Sequence, residues 1–231
     1  MLGWAILLAA SFLWPAATSA QTASPPLVLE AKIPLGDVSG RIDHLAIDLK
    51  RQRLLVAEFG NNSLGVVDLA AGKVLSRIPG LAEPQGVSYV PSSDGVFVAN
   101  AGDGSVRVLR GEDLAPIGHI ELGDDADNVR VDTAHKRVLV GYGKGALAVI
   151  DPVSLSKTAD IRLKAHPEGF QIDQTGTQVF ANVPDAREIG VVDLGTGRRN
   201  RCRRKGRDRI FRWRSTARCT GFSWSFAAHR A

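Results

Sequence analysis

Four positions spaced 42, 42 and 41 residues apart carry side chains that could do chemistry: Asp43, Gln85, Asp127 and Glu168. The next column holds His44, Gly86, Asn128 and Gly169. Three carboxylates, a carboxamide and an imidazole brought to one place could bind a small ligand. They could hold a hard cation such as Ca²⁺ through oxygen, or supply a general base for hydrolysis. The same residue types also cap strands and bond turn amides. The candidate ligand-binding residues are therefore Asp43, His44, Gln85, Asp127, Asn128 and Glu168, with no catalytic residue assigned and no cofactor required beyond that possible Ca²⁺. His119, His135 and His166 fall on an outer strand, in a turn and in a loop, and are expected to be plain surface residues. Asp124, Asp125 and Asp127 form an acidic loop, but it lacks the Glu that closes a helix–loop–helix calcium site.

What positions such columns is a repeat, and repeats decide the fold. LAID, VSYV, VRVD and FQID begin at 45, 87, 129 and 170. RLLVAE, GVFVAN, RVLVGY and QVFANV follow in turn, then LGVVD, SVRVL, LAVID and IGVVD. Short β-branched runs separated by GNNS, AAGK, SSDG, GDGS and QTGT read as antiparallel hairpins. No stretch of the body sustains a helical period. Four such strands per unit of about 40 residues predict one blade of a β-propeller. The fold class is all-β: an incomplete arc of about four four-stranded antiparallel blades. Blades are expected at 40–81, 82–123, 124–165 and 166–197. In a propeller the loop entering the inner strand lies at one mouth of the central channel, so the columns above would face that mouth.

The strings GRIDHLAID (40–48), LGVVDLAAGKVLSRI (64–78), VFVAN (96–100), GDDADNVRVD (123–132) and AHPEGFQID (165–173) resemble exported bacterial YVTN-type, YncE-like β-propeller repeat proteins. The resemblance covers about residues 27–197. It implies a closed ring of about seven blades, and seven such units need about 294 residues, against 171 in residues 27–197. The fourth unit is expected to stop before its outer strand. A strand over 27–35, within the leader of residues 21–39, is expected to take that outer place.

Charge is divided unevenly. Twelve basic residues against Asp208 give residues 198–231 a charge of +11, leaving −6 on residues 1–197 from a total of +5. That tail holds Cys202 and Cys219, keeps no period, and is expected to be disordered. Arg, Trp, Cys and Ser rise together in it, as a shifted reading frame would produce, so a truncated or frameshifted propeller is expected. Its basic residues and aromatics suit nucleic acid, but export argues against that partner. Residues 1–20 read as a signal peptide: an apolar run short for a spanning helix, ending in Thr18-Ser19-Ala20. The protein is expected to be periplasmic or secreted, without stable membrane anchoring once the signal is cleaved. The expected function is a binding or scaffold propeller for an unknown small molecule or protein. The alternatives are a lactonase-like metal-dependent hydrolase and an accessory to a periplasmic redox enzyme.

Overall fold

The structure is a computed structural model that describes residues 27 and 29–203. The chain divides into residues 1–32 and 33–231, and all of the sheets lie in the second part. The export signal read at 1–20 and the basic residues 204–231 lie outside the described residues, as does any pairing of Cys202 with Cys219.

Among the described residues, sixteen strands form four separate antiparallel sheets, each a simple meander of four consecutive strands. The first is β1 (Leu45–Asp48), β2 (Arg53–Glu58), β3 (Ser63–Asp68) and β4 (Lys73–Pro79). The second is β5 (Pro84–Val90), β6 (Gly95–Asn100), β7 (Ser105–Arg110) and β8 (Pro116–Glu121). The third is β9 (Ala126–Asp132), β10 (Arg137–Tyr142), β11 (Ala146–Asp151) and β12 (Ser156–Arg162). The fourth is β13 (Gly169–Ile172), β14 (Gln178–Val183), β15 (Glu188–Asp193) and β16 (Arg199–Arg203). Four four-stranded antiparallel sheets are what the repeat predicts.

The turns repeat as faithfully as the strands. A left-handed backbone occurs at Gly72, Leu114, Leu155 and Gly197, at Gln52, Asp94, Lys136 and Gly176, and at Asn62, Gly104, Gly145 and Arg187. Each set marks one turn of the meander, where φ > 0 lets the chain reverse with the twist of the strands. Non-glycine residues at these places carry some strain, so the fold and not the local residue sets the conformation.

Alternation in the second and third sheets sends side chains to two different cores. Val96 and Val98 join Leu55, Leu64 and Val66 of the first sheet. Their neighbours Phe97 and Ala99 join Val129, Val138 and Val140 of the third. Leu139 in turn packs with Phe170, Val179 and Ala181 of the fourth. Three cores therefore fill three spaces between four consecutive sheets. No core among the described residues joins the fourth sheet to the first, and Leu45, Ile47 and Leu49 on the first sheet stay exposed. The arc is open.

Polar clamps reinforce the cores. Arg51 donates through both terminal nitrogens to Asp94 of the second sheet, at 2.8 and 2.6 Å. Arg53 donates to Asp48 at 3.0 Å and also to the Gly111 carbonyl. Arg137 makes a similar pair of bonds between the third and fourth sheets, to Asp132 at 2.8 Å and the Gly176 carbonyl at 2.9 Å. Asp48 is fully buried. Burial pushes its carboxyl up, but the hydrogen bonds from Arg53 and Arg51 outweigh this and hold it below the usual range.

Two expectations need correction. The fourth unit does not lack its outer strand: Arg199–Arg203 pairs antiparallel with β15, Val192 opposite Arg199 and Glu188 opposite Arg203. The ladder needs only backbone groups, so loss of apolar alternation does not prevent it. The expected N-terminal closing strand does not form among the described residues 27 and 29–39, none of which is in a strand. Pro34 has no N–H to give a ladder, Leu27 and Leu29 are exposed, and the outer place in the fourth sheet is already taken.

Candidate polar site at the inner strand ends

The chain enters each inner strand through the columns singled out in the sequence. The backbone N–H of His44 donates to the Gln85 carbonyl at 3.2 Å, tying the first inner strand to the second. Ser88 Oγ donates to the Val129 carbonyl at 3.1 Å, tying the second to the third. The Asn128 amide donates to the Glu168 carbonyl at 3.0 Å, tying the third to the fourth. Gly86 is required here, because a Cβ at that position would overlap the Asp127 carbonyl.

The structure thus brings Asp43, His44, Gln85, Asp127, Asn128 and Glu168 to one end of the inner strands, and gives them unequal roles. Asp43 is committed to its neighbours: Oδ2 lies 3.0 Å from Arg41 and Oδ1 lies 2.9 Å from His44 Nδ1. Asn128 is buried and positions its surroundings. Asp127 is buried too, and its Oδ1 has no hydrogen-bond partner among the described residues. Glu168 is exposed. Among the described residues, no group of three or more His, Cys, Asp or Glu side chains is disposed to hold a metal ion.

A second column, two residues earlier in each repeat, completes the site: Arg41, Glu83, Asp125 and His166. Arg41 donates to Gln85 Oε1 at 3.3 Å. Gln85 donates to Asp125 Oδ1 at 3.4 Å. His166 Nδ1 lies 3.6 Å from Asp125 Oδ2, and Nε2 lies 3.8 Å from Asp127 Oδ2. A polar relay therefore crosses all four sheets, from Arg41 through Gln85 and Asp125 to His166.

His166 is not the plain surface residue expected from the sequence. It is partly buried, with Nδ1 2.7 Å from the Gly143 carbonyl. The Asp127 carboxylate, the Gly143 carbonyl and the Asp125 charge together overcome burial and lift its pKa to about 9. The ring is a cation at neutral pH, with Nδ1 donating to the Gly143 carbonyl and Nε2 facing the Asp127 carboxylate at 3.8 Å. Burial pushes the Asp125 carboxyl up, and the charges of Asp127, Asp124 and Glu83 add to this, while His166 opposes it. The signal that could have found this column is the repeat itself: Arg41, Glu83, Asp125 and His166 stand two residues before the first column and are spaced 42, 42 and 41 residues apart.

A groove of about 260 Å³ opens beside the relay, lined by His44, Asn128, Arg130, Glu168, Phe170 and Phe180 among others. Arg130 projects from β9, donates to Asn128 Oδ1 at 3.1 Å and to the Val129 carbonyl at 2.9 Å, and lies 5.8 Å from the centre of the Phe170 ring.

No family model matches the chain, and no curated protein matches it. Solved structures do. Hydrazine synthase of Kuenenia stuttgartiensis is similar with a TM-score of 0.64 and 21% identity, over 75% of this chain and 52% of that one. A putative 6-phosphogluconolactonase from Bacteroides uniformis ATCC 8492 is similar with a TM-score of 0.60 and 15% identity, over 69% of this chain and 53% of that one. The chain spans about half the length of each. The fold is a β-propeller's. At these identities the likeness speaks for the fold alone. The four sheets are blades of an open arc, and the relay runs along one end of their inner strands.

Proposed function

We propose that this chain is an exported binding or scaffold propeller of the YVTN, YncE-like kind, which holds a small molecule or protein partner at the channel mouth. The observation that carries this reading is the relay from Arg41 to His166. It places charged and amide side chains of four successive blades in one row, with Asp127 Oδ1 buried and unpartnered beside it. A buried carboxylate oxygen without a donor costs stability, and a ligand donor would remove that cost. Concave sites with a few convergent polar groups are the usual ligand sites of such folds.

Export rests on the apolar residues 1–20 and their small-residue end. Among the described residues no helix is long and apolar enough to cross a membrane. The arginine-rich stretch from Arg198 is, on this reading, a shifted frame whose first residues still supply backbone to a strand. An alternative frame downstream of codon 198 that encodes further 42-residue repeats supports this; one that encodes none removes it.

The binding role is tested by screening the full chain against a small-molecule library for a rise in melting temperature. The expected result is at least one compound whose effect disappears in Asp127→Asn. A library without a stabilising compound, or effects indifferent to Asp127→Asn, argues against a mouth site. Mass spectrometry of the periplasmic fraction checks export: the mature chain begins at Gln21, whereas a cytoplasmic chain retaining residues 1–20 contradicts it.

A further inference from the structure

Every gap inside the arc is sealed from the same place. Val87, Val129 and Phe170 stand near the start of the second, third and fourth inner strands, 42 and 41 residues apart. Each is at most 3% exposed, in the core shared with the preceding blade. Leu45 holds that position in the first blade and is 57% exposed, with Ile47 beside it at 51%. A groove of about 300 Å³ runs on from Ile47 past Leu49 and Leu69, which are exposed as well. Other residues of this face, Val56 and Val67, are already buried, so the uncovered apolar surface is concentrated at the inner strand. Contiguous exposed apolar surface marks an interaction site, and in stacked repeats it is the surface that a neighbouring repeat covers.

The other half of each seam is a column too. Leu64 and Val66 of β3, Val106 and Val108 of β7, and Leu147 and Val149 of β11 pack against the following blade. In the fourth blade these places fall to Ile189 and Val191 of β15, which are only part-buried. The register sets both on the face of the sheet away from Phe170. The chain therefore carries both halves of one more seam, one at each end of the arc. Charge agrees with this. At two of the three internal seams a first-column side chain of one blade meets a second-column side chain of the next: Gln85 bonds Asp125, and Asp127 faces His166. Continued past the fourth blade, the same step sets Glu168 against Arg41. Both are exposed, and carboxylate against guanidinium is the match that Asp127 makes with the His166 cation.

We propose that two copies of this chain close a ring of eight blades, the fourth blade of each seated against the first blade of the other. Leu45 of one copy meets Val191 of its partner copy, and the reverse, so one two-fold axis generates both seams and leaves no end free. Eight blades lie within the range in which propellers close. The polar row is then continuous, with Glu168 of each copy paired to Arg41 of the other. This goes beyond the binding role proposed above and needs no ligand.

The test is sedimentation equilibrium of the full chain across a range of concentrations. The expected result is twice the mass of one chain. Leu45→Asp and Val191→Asp each set a charge into both seams and should weaken the dimer by at least about tenfold. Mixed together, the two variants can form one intact seam, so dimer should return. Glu168→Lys sets like charges opposite Arg41 and should weaken the dimer as well. A wild-type chain with the mass of one copy at every concentration overturns the proposal without any variant. Growth beyond two copies refutes closure. A dimer lost in Leu45→Asp but kept in Val191→Asp would join first blade to first blade, and it too overturns the proposal. None of these outcomes touches the binding role, which the compound screen tests separately.

Discussion

Asp125 and His166 face each other at 3.6 Å across the gap between the third and fourth blades, although 41 residues separate them. They belong to one repeat column, so the same structural place supplies an acid in one blade and a base in the next. The pair, with Asp127 at 3.8 Å from the other ring nitrogen, ties the last described blade to the arc beside the start of its inner strand. The apolar core around Leu139 and Phe170 ties it on the inside.

The first prediction concerns alkaline pH. The His166 pKa is raised above its unfolded value of 6.5, to about 9. The stabilisation it contributes is present in full below about pH 6.5 and is lost as pH rises through about 9. Melting temperatures of the full chain between pH 6 and 10 should fall along that course. In His166→Gln the fall should be smaller and the low-pH value should itself be lower. A variant with an unchanged profile shows that the imidazolium does not hold the blade.

At acid pH the clamp between the first and second blades takes over. Hydrogen bonds from Arg51 and Tyr89 hold the Asp94 carboxyl well below its ordinary range. Its contribution is present above the unfolded pKa of 3.8 and disappears as pH falls below that. Arg51→Ala removes charge-assisted bonds to both Asp94 and Asp48, so a loss of about 2 kcal/mol near neutral pH is expected. Urea unfolding measures it, and a loss under about 0.5 kcal/mol would mark the clamp as an ordinary surface pair.

Core and backbone give opposite signs. Phe97→Ala empties a fully buried site between the second and third blades and should cost about 3–5 kcal/mol. Lys136→Gly should stabilise by up to about 1 kcal/mol, because Lys136 is exposed with φ at 51° in a turn where Gly176 stands one repeat later. Equilibrium unfolding of both variants checks the pair. A destabilised Lys136→Gly would mean that the turn is not strained.

Strands and turns were legible because burial in a two-faced sheet forces apolar residues to recur. Val96 to Ala99 show how: every residue is buried, alternating between two cores, so the segment is wholly apolar. The strand β16 was illegible because an outer strand needs hydrogen-bonding backbone more than apolar side chains. The opposite error arose at 27–35, where an apolar composition around Pro34 imitated such a strand. At the mouth, Asp43 and Asp127 stood out as acids in register. His166 and Arg130 did not, because their surroundings include residues one blade away: Asp127 for the imidazole, and the Phe170 ring for the guanidinium.

The most direct test is an NMR titration of the His166 ring in the wild-type chain and in Asp127→Asn. A midpoint near 9 that drops toward 6.5 in the variant is what the relay requires. A midpoint at or below 6.5 in both proteins would show that the third and fourth blades do not meet at this row, and the site assembled from it would not exist.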